Sequence, residues 1–61
     1  MNTIRKARQR RGLKIIEAAR LLGTDFGNLS RIERGLQYPR PTLAKNICDL
    51  YEIGMEDIFR R

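Results

Sequence analysis

The sequence predicts an all-α fold: five short helices in a single domain spanning residues 1–61. Three observations lead there. Apolar residues recur at three- and four-residue spacing, and no stretch alternates convincingly as a strand would. Glycines and prolines at Gly12, Gly23, Gly35, Pro39, Pro41 and Gly54 punctuate the chain between those patterns. The segments left over are short, as a compact helical domain requires.

Helix 1 is expected from about Thr3 to Arg11, capped by Asn2 or Thr3 and stopped at Gly12. Ile4, Ala7 and Arg8 share its inner face by i, i+3, i+4 spacing. Helix 2 runs from about Ile15 to Leu22 and buries Ala18, Ala19 and Leu22. Gly23 ends it, because glycine takes the positive φ that turns the chain at no steric cost. Helix 3 starts after Thr24 or Asp25, either of which can cap it, and ends before Gly35. Leu36 to Arg40 form a loop in which Pro39 and Pro41 hold Tyr38 and Arg40 extended. Pro41 opens helix 4, whose core face is Leu43, Ile47 and Leu50, with Tyr51 at its margin. A last turn or two after Gly54 carries Ile58 and Phe59.

Helices 2 and 3, hinged at Gly23, have the spacing of a helix-turn-helix. Ala19 is small enough for two helices to cross closely, and Leu29 and Ile32 point back from helix 3. Phe26, Gly27, Ser30, Arg31 and Arg34 then lie on or near its outward side. A short helix with a free polar side and arginines around it suits the major groove of DNA.

Charge supports that direction. The formal net charge is +6. Residues 1–40 hold ten Lys or Arg against Glu17, Asp25 and Glu33, a net of +7. Residues 41–61 hold Lys45, Arg60 and Arg61 against Asp49, Glu52, Glu56 and Asp57, a net of −1. A basic front and a near-neutral back suit one face on a polyanion and another free for a protein contact. The lone Cys48 and the absence of His leave no zinc set and no internal disulfide. Cys48 reads as a small buried apolar residue. Glu56 and Asp57 sit where acids favour a helix N-terminus rather than as a catalytic pair. Without a nucleophile–base set or a phosphate loop, no catalytic residue is assigned and no enzyme is expected. No apolar run approaches a membrane span and there is no signal-peptide core, so a cytoplasmic protein without cofactor or small-molecule ligand is expected.

At the level of motifs, Ile4-x-x-Ala7-Arg8, Gly12-Leu13, Glu17-Ala18-Ala19, Leu22-Gly23, Leu29-Ser30-Arg31-Ile32-Glu33-Arg34-Gly35, Pro39 and Ile53 to Phe59 occur in one order. In this the chain resembles the lambda-repressor/Cro-type, or Xre-like, helix-turn-helix domain over nearly its whole length. The Ser-Arg-Ile-Glu-Arg-Gly run is the most specific piece. Members are mostly bacterial and phage transcription regulators that bind operator DNA as dimers. The resemblance implies helix 3 in the major groove, with Phe26, Gly27 and Arg31 at base-reading positions. It implies phosphate contacts at Lys14 and Ile15, and at Arg34, Tyr38 and Arg40. It also implies an ion pair between Arg8 and Glu33.

Several positions depart from the family pattern. Ile15 replaces a phosphate-binding glutamine, so only its backbone N–H can serve, aided by the helix N-terminus. Ala18 replaces a larger core leucine, leaving a space for Phe26 or Ile16 to fill. Phe26 and Gly27 stand where polar readers are common, and Asp25 puts a negative charge at the edge of the surface.

Arg31 leads the base-reading candidates, since its fork matches guanine O6 and N7. Asn28 either reads adenine, or faces partly toward the core or caps locally. Phe26 either presses on a thymine methyl or folds into the space beside Ala18. Gly27 either lets helix 3 sit closer to the bases or is a tolerated weak spot. Lys14, Ile15, Ser30, Arg34, Tyr38 and Arg40 would hold phosphates, and Arg10 can reach one from the end of helix 1. The near-neutral Ile53, Gly54, Met55 and Phe59 form the expected dimer patch.

The resulting expectation is a regulator that binds double-stranded operator DNA as a homodimer, of the phage or mobile-element repressor type. The competing expectation is a protein-interaction module of antitoxin-like or anti-repressor kind on the same fold. Non-specific nucleic-acid binding by charge alone is a third.

Overall fold

A computed structural model describes residues 3–59. Among them the chain forms α1 (Thr3–Arg10), α2 (Ile15–Leu22), α3 (Phe26–Glu33), α4 (Pro41–Tyr51) and α5 (Met55–Phe59), with no strand. The expected end of helix 1 at Arg11 falls one residue too far, because Arg11 already belongs to the turn. Thr3 is inside α1, and the alternative cap, Asn2, lies outside the described residues.

Each junction follows local chemistry. Glu17 reaches back to accept a hydrogen bond from the Lys14 N–H at 2.8 Å, satisfying one free donor at the start of α2. Gly23 at φ 72° closes α2, with its own N–H on Arg20 O and the Thr24 N–H on Ala19 O. This paired closure is the Schellman turn. Asp25, rather than Thr24, caps α3 by accepting from the Asn28 N–H. After α3, Gly35 at φ 76° reverses the chain and the Leu36 N–H returns to Arg31 O at 2.9 Å. That reversal lays the following loop back along α3. Pro41 stands at the first position of α4, where its missing N–H costs nothing.

The core gathers Ile4 and Ala7 of α1, Ala18, Ala19 and Leu22 of α2, Leu29 and Ile32 of α3, Leu43, Ala44, Ile47 and Tyr51 of α4, and Ile58 of α5. α2 packs on α3 and on α4, while α5 packs on α1 and α4. Three expectations are corrected. Leu50 only flanks the core, whereas Tyr51 is one of its largest buried side chains. Neither Phe26 nor Ile16 fills the space beside Ala18, since both are more than half exposed. Ala18 is nonetheless fully buried, so the helices around it close that space without a large side chain from Phe26 or Ile16. Cys48 is half-buried rather than buried, and burial followed by Asp49, Glu56 and Asp57 pushes its thiol pKa up. No described helix is long and apolar enough to cross a membrane.

Candidate nucleic-acid interface

The position of α3 is fixed from its inner side by a buried carboxylate. Glu33 is 1% exposed. Arg8 donates to it through Nε at 2.6 Å and Nη2 at 3.3 Å, and spends Nη1 on the Leu13 carbonyl at 2.8 Å. Arg5 adds a weaker contact at 3.4 Å. The expected Arg8–Glu33 pair is therefore present, with Arg5 as a partner that helical spacing alone did not indicate. It ties α1, the α1–α2 turn and the end of α3 into one rigid corner.

On the outer side a second polar cluster runs along α3. Arg31 Nε donates to Gln37 Oε1 at 3.0 Å, Gln37 Nε2 donates to Asn28 Oδ1, and Asn28 Nδ2 donates to Thr24 Oγ1 at 2.8 Å. This cluster brings Arg31 and Asn28 together. The residue that joins them, Gln37, is absent from the sequence-derived set. Asn28 has its amide nitrogen and oxygen both engaged by side chains, Thr24 and Gln37, while Asp25 does the capping, and it keeps one N–H and one lone pair. Gly27 lies beneath the tip of Arg31: a Cβ there would stand 3.4 Å from Arg31 Nη1 and 3.3 Å from Asp25 Oδ2. The tip of Arg31 therefore rests against Gly27, a placement that neither sequence alternative included.

Arg31 and Arg40 line one open polar groove together with Thr24, Asp25, Asn28 and Thr42. The groove separates the α2–α3 turn from the start of α4. Of the remaining phosphate candidates, Arg34 is the C-cap of α3 and Arg40 the N-cap of α4, both exposed. Ser30 is half-buried on α3. Lys14 is exposed at the N-cap of α2, while Ile15 packs partly against the core and offers the surface no polar side chain. Arg10 is exposed at the end of α1, and neither it nor Lys14 lines the groove. Phe26 is 52% exposed beside Gly27.

Tyr38 is half exposed, with its ring 5.3 Å from that of Phe59 at an interplanar angle of 50°. Within the expected dimer patch, Phe59 and Met55 are exposed and Ile53 and Gly54 are half-buried. The ring pair therefore joins a phosphate candidate to a dimer candidate, two groups the sequence kept apart. Only the reversal after Gly35 and the fold-back of α5 bring them into contact, so no spacing rule could have found the pair.

The helix-turn-helix family model of the Cro and Xre type matches residues 4–58. The chain belongs to the lambda-repressor/Cro-type, Xre-like helix-turn-helix family. No curated protein and no solved structure is similar enough to count as a match. Membership makes this Xre-like chain a DNA-binding helix-turn-helix regulator in general terms.

Proposed function

We propose that the chain is a sequence-specific regulator of the repressor type that inserts α3 into the major groove of operator half-sites as a homodimer. The observation that carries this reading is the pairing of Arg31 with Arg40 across one groove on the outer side of α3. Arg31 supplies an edge that matches guanine O6 and N7. Arg40 and Arg34 stand at the flanks, where phosphates pass, and fix register without reading sequence. Phe26 offers an apolar contact for a thymine methyl, and Lys14 with the α2 N-terminus completes the grip on the backbone.

One such domain covers few bases, so useful specificity calls for two half-sites about one turn, ~34 Å, apart. Ile53, Gly54, Met55 and Phe59 are the surface assigned to that pairing. With about five phosphates neutralised per domain, the dimer's log K falls against log salt with a slope of about −9.

The test is selection from a randomised DNA pool at about 150 mM salt, where charge alone binds weakly, with Arg31→Ala in parallel. A two-half-site motif that loses information at particular positions in the variant supports the reading. Binding indifferent to sequence and to Arg31 overturns it. One observation favours a second reading, a protein-interaction module. Phe26 and Leu36, at the start and just past the end of α3, are both more than half exposed, and apolar area of that kind suits a protein partner.

A further inference from the structure

We propose that Gln37 is a positioning residue for base recognition, holding Arg31 by its Nε–H so that the Nη1/Nη2 end of the guanidinium is offered to a guanine. This rests on the sequence-specific DNA-binding reading above and adds the residue that would set how Arg31 reads.

An exposed arginine samples many rotamers, and fixing it on binding opposes affinity and blurs preference. Here the side chain is held before any DNA arrives. Its Nε donates to Gln37 Oε1 at 3.0 Å, which consumes the side edge of the guanidinium. The remaining bidentate edge is the Nη1/Nη2 pair, two parallel donors that match O6 and N7 of guanine. An end-on approach is therefore selected and a side-on approach through Nε is excluded while the tether holds.

Gln37 is itself held. Its Nε2 donates to Asn28 Oδ1, and Asn28 Nδ2 donates to Thr24 Oγ1 at 2.8 Å, so the relay ends in the α2–α3 turn. The direction of each amide follows from Arg31, whose Nε–H can only donate: Gln37 presents its oxygen to Arg31 and so turns its nitrogen to the Asn28 oxygen. The backbone makes this possible. The Leu36 N–H bonded to Arg31 O places the next residue back against α3, nine positions after Asn28. The tip of Arg31 lies against Gly27.

Two variants separate the arms of the relay. Gln37→Met keeps the length of the side chain and removes both hydrogen bonds. Gln37→Glu keeps an acceptor for Arg31 and removes the donor to Asn28. The position read by Arg31 is first defined as the one whose preference is lost in Arg31→Ala. Selection from the randomised pool with Gln37→Met should lower guanine preference at that position by roughly 2- to 10-fold, the cost of ordering one long side chain. Preferences at other positions should hold, and Gln37→Glu should retain the guanine preference even where its added charge weakens binding overall.

A uniform loss at all positions, or none, in Gln37→Met overturns the proposal, as does an equal loss in Gln37→Glu. A second readout needs no DNA. The Arg31 Nε–H resonance of the free protein should exchange slowly with water in wild type and quickly in Gln37→Met, with the rest of the amide spectrum unchanged. An Nε–H that already exchanges quickly in wild type also overturns it. If wild type recovers no motif, the DNA reading fails and the role of Gln37 in base recognition falls with it. A tethered Nε–H in that case places the failure in the DNA reading rather than in the geometry of the tether.

Discussion

The two sides of α3 carry two polar clusters, each built around arginine and put to opposite uses. Inside, Glu33 meets Arg8 and Arg5 with its carboxylate almost wholly removed from water. Outside, Arg31 meets an amide, not an acid, in an exposed setting. The inner cluster cancels charge where an unpaired ion would be costly. The outer one leaves the arginine's charge intact and only restricts where it points. What differs is burial: the inner side uses arginine to hold the fold, and the outer side holds an arginine ready for a partner.

The sharpest way to break this comparison is to remove charge on the inner side. Glu33→Gln keeps the shape but turns one of two acceptor oxygens into an NH2 donor facing arginine donors, and it leaves Arg8, only 11% exposed at its side chain, without its counter-ion. Breaking a buried pair from one side costs about 3 kcal/mol or more, a large share of what a domain this small can possess. The expected result is a denaturant midpoint lowered enough to populate unfolded chain at room temperature. A loss below about 0.5 kcal/mol, the level of an ordinary surface change, would mean the inner cluster is no more structural than the outer one.

The outer side gives the converse. Arg31→Ala should cost about 1–3 kcal/mol of discrimination at a single base while leaving stability within about 0.5 kcal/mol. Binding to pooled DNA of random sequence should weaken far less than binding to the selected motif. Equal weakening on both would make Arg31 a phosphate contact and move it to the class of Arg34 and Arg40.

How far the sequence disclosed these clusters follows from how each is built. The five helices were legible because Gly12, Gly23, Gly35, Pro41 and Gly54 act locally, each through its own backbone. Arg8 and Glu33 were legible through the resemblance, being fixed positions in a shared motif. Arg31 was legible from helical periodicity. Gln37 was not, because a loop residue carries no period, and its place depends on how the turn at Gly35 redirects the chain. Tyr38 and Phe59 are far apart in sequence and meet only through tertiary packing. The space beside Ala18 misled for a related reason: periodicity names the residue that faces the core but not how closely the helices approach.

Tyr51 tests whether the inner cluster reaches further into the core. Its ring is 2% exposed, and its hydroxyl has no hydrogen-bond partner among the described residues. Burial, followed by the Glu33 carboxylate, pushes its pKa up to about 12. Tyr51→Phe removes an unsatisfied buried group and is expected to be as stable as wild type at neutral pH, or more so by about 1 kcal/mol. The sign with pH follows from linkage. The folded pKa lies above the unfolded value near 10, so this group's contribution is intact below pH 10 and is lost as pH rises toward 12. Stability measured on both proteins from pH 9 to 12 should show the advantage of the variant widening over that window. A constant difference would place the hydroxyl in contact with water.

The smallest expected effect on stability falls on Gly27, and it tests how tightly the outer cluster is made. Gly27→Ala gains helix propensity, at most about 1 kcal/mol and less in a first turn. Against that gain, the new Cβ stands 3.3 Å from the Asp25 oxygen that caps Asn28 and 3.4 Å from Arg31 Nη1. Both neighbours end in movable side chains and can retreat by a few tenths of an ångström. Stability should therefore change by no more than about 0.5 kcal/mol in either direction. Recognition should respond differently, because the same retreat lifts the tip of Arg31 from its resting place. Guanine preference at the Arg31 position should fall while the melting curve barely moves. If the preference holds, Arg31 leaves its place over Gly27 when it binds, and its tether to Gln37 would describe only the free protein.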